Sequence, residues 1–329
     1  KFLNSKSGEG TRKVLVVVQY TASMILLCGT LIVFAQLNFM RNQSLGVKTD
    51  QTLVVKFPGR TEGMNTKLEA MKKAIARLPL VDKVTFSGAV PGEEVATFLS
   101  NRRKSDALKQ NRLYEMLVCD PDYIDAYGLQ LVAGRGFSED YGDDVNKLVV
   151  NESAVRNLGI ASNEEALGEE IEVECTDAPM QIIGVVKDYH QQALNKNYTP
   201  IMLIHKDKIG WLPQRYISIV MKSGDPKELV SQVEEIWHRY FEDSSYDFFF
   251  LDQFFDHQYR QDEVFGVMIG CFTGLAIFIS CLGLWVLVMF SCTTRTKEMG
   301  IRKVLGATRW NLFYQLGKGF FQLILIAVI

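Results

Sequence analysis

The sequence has few of the side chains that carry catalysis or hold metals. It has four histidines among 329 residues, and their spacing is not that of zinc ligands. They are His190, His205, His238 and His257. A Walker A loop is absent too, because Gly317-Lys318-Gly319 lacks the hydroxyl residue and the preceding glycine of that loop. With no nucleophile elbow and no recognisable pair of carboxylates, we predict no catalytic residue, no cofactor, no metal and no ATP hydrolysis in this chain.

Two long stretches lack charge altogether. Residues 14–37 and residues 264–292 contain no Asp, Glu, Lys or Arg. At about 1.5 Å per residue, a helix over either stretch exceeds the ~30 Å hydrocarbon core of a bilayer. The first stretch is too long for a signal peptide and has no small-residue cleavage site. We therefore predict two transmembrane helices, and a third that starts at residue 312 and is cut off at residue 329.

Basic residues flank both predicted spans. Lysine and arginine dominate residues 1–13, where Glu9 is the single acid, and residues 293–311, where Glu298 is the single acid. The positive-inside rule then places both flanks in the cytoplasm and residues 38–263 outside it. All the other acids lie in that outer segment and give it a negative charge. This charge argues against a nucleic-acid partner.

The outer segment repeats one order of elements at its two ends. A predicted strand at 53–57 is followed by a helix and a strand, and a predicted strand at 216–221 is followed by a helix that Asp225 and Pro226 begin. A strand at 246–251 comes next, and the chain then continues as a helix into the second span. We predict an α+β fold in which both ends form one β-α-β subdomain and a β-rich middle is inserted.

The middle of the outer segment reads as short strands separated by glycines. These predicted strands are 114–118, 147–150, 171–173 and 181–187. Asp188 and His190 follow the last strand, and we interpret them as a turn after a buried strand rather than as an acid–base pair. Cys119 and Cys175 have the option of pairing in an oxidising compartment, but two free thiols are favoured because nothing in the sequence brings them together.

The second predicted span contains Gly266, Gly270 and Gly274, one glycine at every fourth position. This spacing is typical of a seam that lets another helix approach closely. It is equally compatible with the ordinary enrichment of glycine in membrane helices. Both interpretations stay open on the sequence alone.

The segment at 293–311 is basic and interrupted by glycines. A simple membrane anchor needs only the basic residues and explains neither Glu298 nor the two glycines around Ile301 and Leu305. We interpret the segment as a short amphipathic helix that contacts a partner protein. The residues assigned to this contact are Lys297, Glu298, Gly300, Arg302, Lys303 and Gly306.

The same segment resembles a known family. Its sequence TRTKEMGIRKVLGAT is similar to the motif K-E-[IM]-G-I-R-K-x-x-G-A, which follows the second membrane helix of MacB/FtsX-type permeases of ABC transporters. Softer matches are VVNESAVRNLG, IIGVVKDYH and FFFLDQFFDHQY, which look like the periplasmic core domain of that family. The resemblance implies an inner-membrane permease with residues 38–263 in the periplasm. It also implies a separate ABC ATPase subunit and a homo-dimer, or a pseudo-dimer with a second permease repeat.

The resemblance also implies a mechanism, in which the ATPase moves the segment at 293–311 and the long helices carry that movement outward. The cargoes implied are antibiotics, peptides or lipoproteins. The chief alternative is a membrane sensor with an extracytoplasmic ligand-binding domain, which would continue into a heptad-bearing signalling helix instead of re-entering the membrane. A membrane-anchored enzyme is a third option, but no catalytic constellation supports it.

We expect the following division of a sequence that is a fragment of a longer permease. The parts are a cytoplasmic flank at 1–13, spans at 14–37 and 264–292, a periplasmic core domain at 38–263, a cytoplasmic coupling loop at 293–311 and the start of a third span at 312–329. Within the core domain they are a porter-like subdomain at 50–114 and 206–251, an inserted subdomain at 115–205 and a stalk helix at 252–263.

Overall fold

The computed structural model describes residues 6–42, 45–58, 64–106, 110–138, 140, 144–192, 197–210, 212–294, 296–306, 308, 310 and 314. The helices are α1 (Lys6–Asn42), α2 (Met64–Ile75), α3 (Tyr123–Ala126), α4 (Glu152–Asn157), α5 (Pro226–Tyr240), α6 (Leu251–Thr294) and α7 (Thr296–Val304). The strands are β1 (Thr52–Lys56), β2 (Val81–Ser87), β3 (Phe98–Arg103), β4 (Arg112–Cys119), β5 (Leu131–Gly134), β6 (Lys147–Asn151), β7 (Glu170–Val173), β8 (Met180–Val186), β9 (Ile201–His205), β10 (Tyr216–Met221) and β11 (Asp247–Phe250). The chain divides into two compact units, one of Lys1–Asn42 with Arg260–Ile329 and one of Gln43–Tyr259.

The first unit contains α1, most of α6 and α7. Val14–Phe39 in α1 and Glu263–Thr294 in α6 are long and apolar enough to cross a membrane. Large apolar side chains such as Phe272 and Trp285 are exposed along them, and lipid would cover such side chains. The predicted spans at 14–37 and 264–292 thus coincide with helices. The predicted third span at 312–329 lies outside the described residues.

One half of the second unit is an open sheet of four antiparallel strands in the order β11-β1-β10-β2. The two ends of the outer segment meet here, because β1 lies between β10 and β11, as the repeated order of elements predicts. Alternation along β1 places Leu53 and Val55 on the face that α2 and α5 cover, and Val54 on the opposite face.

Helix α5 begins where the sequence predicts. The Asp225 carboxylate accepts a hydrogen bond from the Lys227 backbone N at 2.9 Å, and Pro226 occupies the first turn, where its missing N–H costs nothing. Leu229 and Trp237 from this helix are buried against the open sheet. The apolar stripe therefore fixes which face of α5 meets the strands.

The other half of the second unit is a six-stranded barrel. Around it the order is β4-β3-β7-β8-β6-β9, and β9 pairs with β4 in parallel, which closes the ring. Alternate residues point inward and are apolar, as Tyr114, Met116 and Val118 on β4 illustrate. Closure pairs each of the six strands on both sides, and β5 adds to β8 outside the ring.

A further core lies between the open sheet and the barrel. It contains Val54 from β1 and Leu203 from β9, together with Leu251 and Phe255 from the first two turns of α6. The base of α6 is therefore part of the core of the outer domain. From there the chain continues as one helix to Thr294.

The predicted boundary at residue 114 between the two parts of the outer domain requires a correction. Strand β3 pairs with β4 and with β7 and so belongs to the barrel. Its inward side chains include the polar Asn101, so the sequence shows no apolar alternation there. The chain leaves the open sheet after Ser87 and returns at Tyr216, and these two residues are cross-strand partners in β2 and β10.

Candidate functional site

Helix α7 carries the residues that the sequence assigns to a partner contact. Glu298 and Arg302 lie one turn apart, and Arg302 Nη2 donates to Glu298 Oε1 at 2.6 Å. Their side chains are 52% and 40% exposed, so water screens the pair, and its value to the helix is a few tenths of a kcal/mol. The pair therefore shapes the surface of α7 and contributes little to folding.

Two glycines shape this helix in different ways. Gly306 ends it at φ +93°, a left-handed conformation that strains any residue with a side chain. There Leu305 N donates to Ile301 O and Gly306 N to Lys303 O, at 3.1 and 3.2 Å. Gly300 lies inside the helix, and a Cβ added there would meet no heavy atom within 4 Å. Gly costs about 1 kcal/mol relative to Ala in a helix, and nothing described in this chain explains that cost at position 300.

The surface of α7 is also unusually apolar for its exposure. Ile301, Val304 and Leu305 are 63%, 88% and 80% exposed, and their spacing makes them neighbours on the helix. Lys297 and Lys303 are exposed as well, and no residue of α7 is buried. The six assigned residues thus share one short helix and its cap. Together they offer charged groups beside an apolar stripe, which suits docking on another protein.

The glycine seam of the second span is present in part, as a contact between α6 and α1. A Cβ added at Gly266 would lie 2.9 Å from Leu37 Cδ1, and one at Gly270 would lie 3.7 Å from Phe34. A Cβ added at Gly274 would meet no heavy atom within 4 Å, so Gly274 takes no part in this contact. The reason is the helical period, which turns every fourth residue steadily away from a partner helix.

Two hydroxyl pairs complete the seam, and the sequence analysis did not assign them. The hydroxyls of Ser23 and Ser280 are 2.7 Å apart, and those of Thr30 and Thr273 are 2.6 Å apart. All four side chains are buried between the helices. The members of each helix are seven residues apart, and small polar residues at that spacing in an uncharged run were the available signal.

The outer domain contains a buried carboxyl group with few partners. Glu115 on β4 is 3% exposed, and its oxygens accept hydrogen bonds from Thr199 Oγ1 at 3.1 Å and Gln192 Nε2 at 3.4 Å. Burial raises the pKa of Glu115 to about 7, and the nearby charge of Glu94 adds to the rise. This residue therefore changes charge near neutral pH.

A second buried carboxylate links the open sheet to the barrel. Asp120, directly after β4, accepts hydrogen bonds from Lys72 Nζ at 2.6 Å, from Thr85 Oγ1 at 2.5 Å and from Phe86 N at 2.9 Å. Burial raises the pKa of Asp120, and the Lys72 ammonium opposes that rise. Because Lys72 lies on α2, this ion pair fixes that helix to the end of β4.

The remaining candidate residues have structural surroundings. Asp188 accepts hydrogen bonds from α4, whereas the ring of His190 contacts Tyr198 at a tilt of 39° with centroids 4.4 Å apart. Both residues follow the buried strand β8 and have partners that hold the fold together. Cys119 is buried and Cys175 exposed, and both are free thiols, as favoured on the sequence. In the part of the chain that the structure describes, no three His, Cys, Asp or Glu side chains are grouped to hold a metal ion.

Two family descriptions match this chain. Residues 22–236 match the MacB-like periplasmic core domain, and residues 270–329 match the FtsX-like permease C-terminal segment. The first match covers the barrel and three of the four strands of the open sheet, β1, β2 and β10. The second contains α7 and the predicted start of a third span.

Individual relatives agree with these matches. YvrN of Bacillus subtilis (strain 168), an uncharacterized ABC transporter permease, is 22% identical over 216 residues, which are 60% of this chain and 50% of that protein. The macrolide export ATP-binding/permease protein MacB of Aggregatibacter actinomycetemcomitans is 26% identical over 206 residues, 59% of this chain and 30% of that protein. The chain thus spans half the length of the first relative and less than a third of the second. The crystal structure of the periplasmic region of MacB from Actinobacillus actinomycetemcomitans aligns with 65% of this chain and 94% of that one, at 17% identity and a TM-score of 0.44.

Proposed function

Because this chain belongs to the family with a MacB-like periplasmic core domain, joined here to an FtsX-like permease segment, we propose that it is the permease part of an ABC-type transporter. It is an inner-membrane protein, and the segment between the spans in α1 and α6 is periplasmic. In this proposal the chain hydrolyses no ATP itself. A separate ABC ATPase subunit supplies the energy and binds at α7.

The surface of α7 is the observation that carries the proposal. Its apolar residues Ile301, Val304 and Leu305 are exposed beside the Glu298–Arg302 pair, with open backbone at Gly300. A helix that only anchored the chain to lipid headgroups would need basic residues and no acid. A charged pair that loses water on docking can be worth a few kcal/mol, far more than it contributes within the helix.

The path of α6 supports a mechanotransmission mechanism. This helix is uninterrupted from Leu251, which is buried in the core of the outer domain, to Thr294, two residues before α7. In the proposed cycle, ATP brings the ATPase subunits together, α7 moves with them, and α6 transmits the movement to the periplasmic domain. No cargo has to pass between these helices. The domain would act outside on an antibiotic, a peptide or a lipoprotein.

The same proposal includes a second membrane segment, either from another copy of the chain or from a second permease repeat. Exposed apolar residues such as Ile32 on α1 and Phe272 and Trp285 on α6 leave ample surface for further helices. A closing movement of paired ATPase subunits also needs two coupling helices to act on.

The decisive experiment removes the charged pair. In the full-length permease, Glu298→Ala with Arg302→Ala should leave expression and membrane insertion unchanged, because the pair contributes little to folding. Co-purification of the ATPase and permease-dependent ATPase activity should both be lost, since docking depends on the pair. The matched control is Glu235→Ala with Arg239→Ala, a pair of the same spacing on the periplasmic helix α5.

The control variant should bind and activate the ATPase as the wild type does. If the α7 double variant also does so, α7 is only a charged anchor and the proposed coupling is wrong. The sensor alternative would be favoured instead if the wild-type chain bound no ATPase and if ligand binding to its outer domain changed the activity of a cytoplasmic signalling protein.

A further inference from the structure

Residues 188–192, which we call the junction segment, begin two residues after the end of barrel strand β8 at Val186. On the barrel side the segment is fixed to α4. Ser153 N and Ser153 Oγ donate to the Asp188 carboxylate at 2.8 and 2.9 Å, and Arg156 Nη2 donates to it at 2.5 Å. The Asp188 backbone N donates in turn to Glu152 Oε2 at 3.1 Å. Charge-assisted hydrogen bonds of this kind hold the first residue of the segment firmly to the barrel.

The next two residues of the junction segment touch the chain that leaves α1. His190 N donates to Leu45 O at 2.9 Å. Gly46, at φ +77°, lies so close that a Cβ added there would be 3.1 Å from Tyr189 Cβ, and Tyr189 is itself buried. A larger residue at 46 would be strained and would push these two backbones apart. The backbone therefore contacts the junction segment at Leu45 and Gly46, three and four residues after α1 ends at Asn42.

Gln191 connects the junction segment to the base of α6 through one turn, residues 90–93. Its side chain is 2% exposed, and Nε2 donates to Val90 O at 2.8 Å and to Glu93 O at 3.0 Å, while Gly92 N donates to Gln191 O at 2.8 Å. On its other side the turn rests on α6, since a Cβ added at Gly92 would lie 2.8 Å from Phe255 Cζ. The turn is thus held between Gln191 and the second turn of α6.

We propose that the junction segment is the joint through which movement of the membrane helices reaches the barrel, and that Gln191 is the positioning residue on the α6 side. This inference rests on the proposed function. Any displacement of the turn at 90–93 without Gln191 would break both hydrogen bonds of the buried Gln191 amide and the bond from Gly92 N, so the turn and the segment move together. Among the described residues Gln191 Oε1 has no hydrogen-bond partner, which leaves it able to accept a donor in a second arrangement of the turn.

The test follows α6 and the barrel separately in the full-length permease with its ATPase, in lipid nanodiscs and in a cysteine-free background. A fluorophore on Asp256→Cys reports on α6, and one on Asp177→Cys reports on the barrel; both positions are exposed. In the otherwise wild-type protein, ATP should change both signals. Gln191→Leu keeps a similar volume and removes the amide donors. It should keep the α6 signal and lose the barrel signal.

The matched control is Gln181→Leu. That glutamine lies on β8, but its amide contacts only barrel residues, Lys147 and Gly168, so both signals should persist. If the barrel signal survives Gln191→Leu, the proposed role of the junction segment is wrong, while the proposed function is unaffected. If the fluorescence of the α6 probe does not change on addition of ATP in the otherwise wild-type protein, the proposed function is wrong, and this inference is wrong with it. If Gln191→Leu fails to accumulate, Ser153→Ala decides, since it removes the Oγ that donates to Asp188 and accepts from Arg156 on the barrel side, and it should weaken the barrel signal alone.

Discussion

The surroundings of Glu115 are poorly suited to a negative charge. It lies between its strand partners Phe98 on β3 and Ile201 on β9, and its hydrogen-bond donors are the neutral side chains of Thr199 and Gln192. Burial raises the pKa of Glu115 to about 7, so the folded chain keeps a proton that the unfolded chain releases above about pH 4.3. Folding stability from this residue is therefore fully present below that pH and is lost as the pH rises through 7.

Glu115→Gln should remove this pH dependence. At pH 5 the variant and the wild type should unfold at similar temperatures, because the protonated acid and the amide are both neutral. At pH 8 the variant should be more stable, by at most about 4 kcal/mol for a pKa difference of two to three units. Thermal unfolding of the purified chain at pH 5 to 8 measures this difference. Glu165→Gln, at an exposed position on the barrel, should follow the wild-type profile, and parallel profiles for Glu115→Gln would contradict the argument.

At the scale of elements, the contact between α1 and α6 permits a matched pair of substitutions. Gly266→Leu should force the helices apart, because even a Cβ there would lie 2.9 Å from Leu37 Cδ1, and overpacking of this kind costs roughly 1–3 kcal/mol. Gly274→Leu should leave the contact intact, since a Cβ there has open space around it. The two variants differ only in which side of the same helix they enlarge.

The readout is a disulfide between Thr30→Cys and Thr273→Cys in a cysteine-free background, because the two native hydroxyls are 2.6 Å apart. Oxidative crosslinking should be efficient in that background, fall with Gly266→Leu and persist with Gly274→Leu. Equal crosslinking in the two glycine variants would mean that the glycines reflect composition alone.

The sequence predicts elements best where local pattern and tertiary setting agree. The uncharged runs at 14–37 and 264–292 specify long helices by length and composition alone. Asp225 and Pro226 specify the start of α5 because the cap bond to Lys227 N and the proline ring both act within the first turn of that helix. Strand β3 is different, because it turns Asn101 into the barrel, where Nδ2 lies 3.3 Å from Met116 Sδ and 3.5 Å from Met202 Sδ. Those partners come from β4 and β9, so no local pattern reveals that a polar residue belongs in the core.

In the candidate site, too, local contacts were predictable from the sequence and contacts between distant segments were not. Glu298 and Arg302 are four residues apart, and helical geometry alone brings them together, so their pairing was predictable. Ser23 and Thr30 form the seam only because α6 presents Ser280 and Thr273 opposite them, and such pairing between distant segments cannot be read from one run of sequence. For the same reason Gly266 and Gly274 looked equivalent in sequence and differ in structure.

At the scale of the whole molecule, topology is the first property to test. Ser105 is exposed on the barrel and Thr308 follows α7, so the assignment puts them on opposite sides of the membrane. Single cysteines at these positions, in a cysteine-free background, should react differently with a membrane-impermeant maleimide on cells whose outer barrier is permeabilised. Ser105→Cys should be labelled on intact inner membranes and Thr308→Cys only after lysis. The reverse pattern would invert the topology and place α7 out of reach of any ATPase.

The barrel has a further consequence for how such proteins diversify. The chain departs for it after Ser87 and comes back at Tyr216, and these two residues already face each other across β2 and β10. To the open sheet, everything from 88 to 215 is one enlarged hairpin loop, and lengthening a loop costs only ~0.6 kcal/mol per doubling. Evolution can therefore replace residues 88–215 by another folded segment whose two ends lie next to each other, provided that this segment covers the apolar side of Val54. The periplasmic partner that the protein recognises would then differ between relatives, while the open sheet and the membrane helices stayed the same.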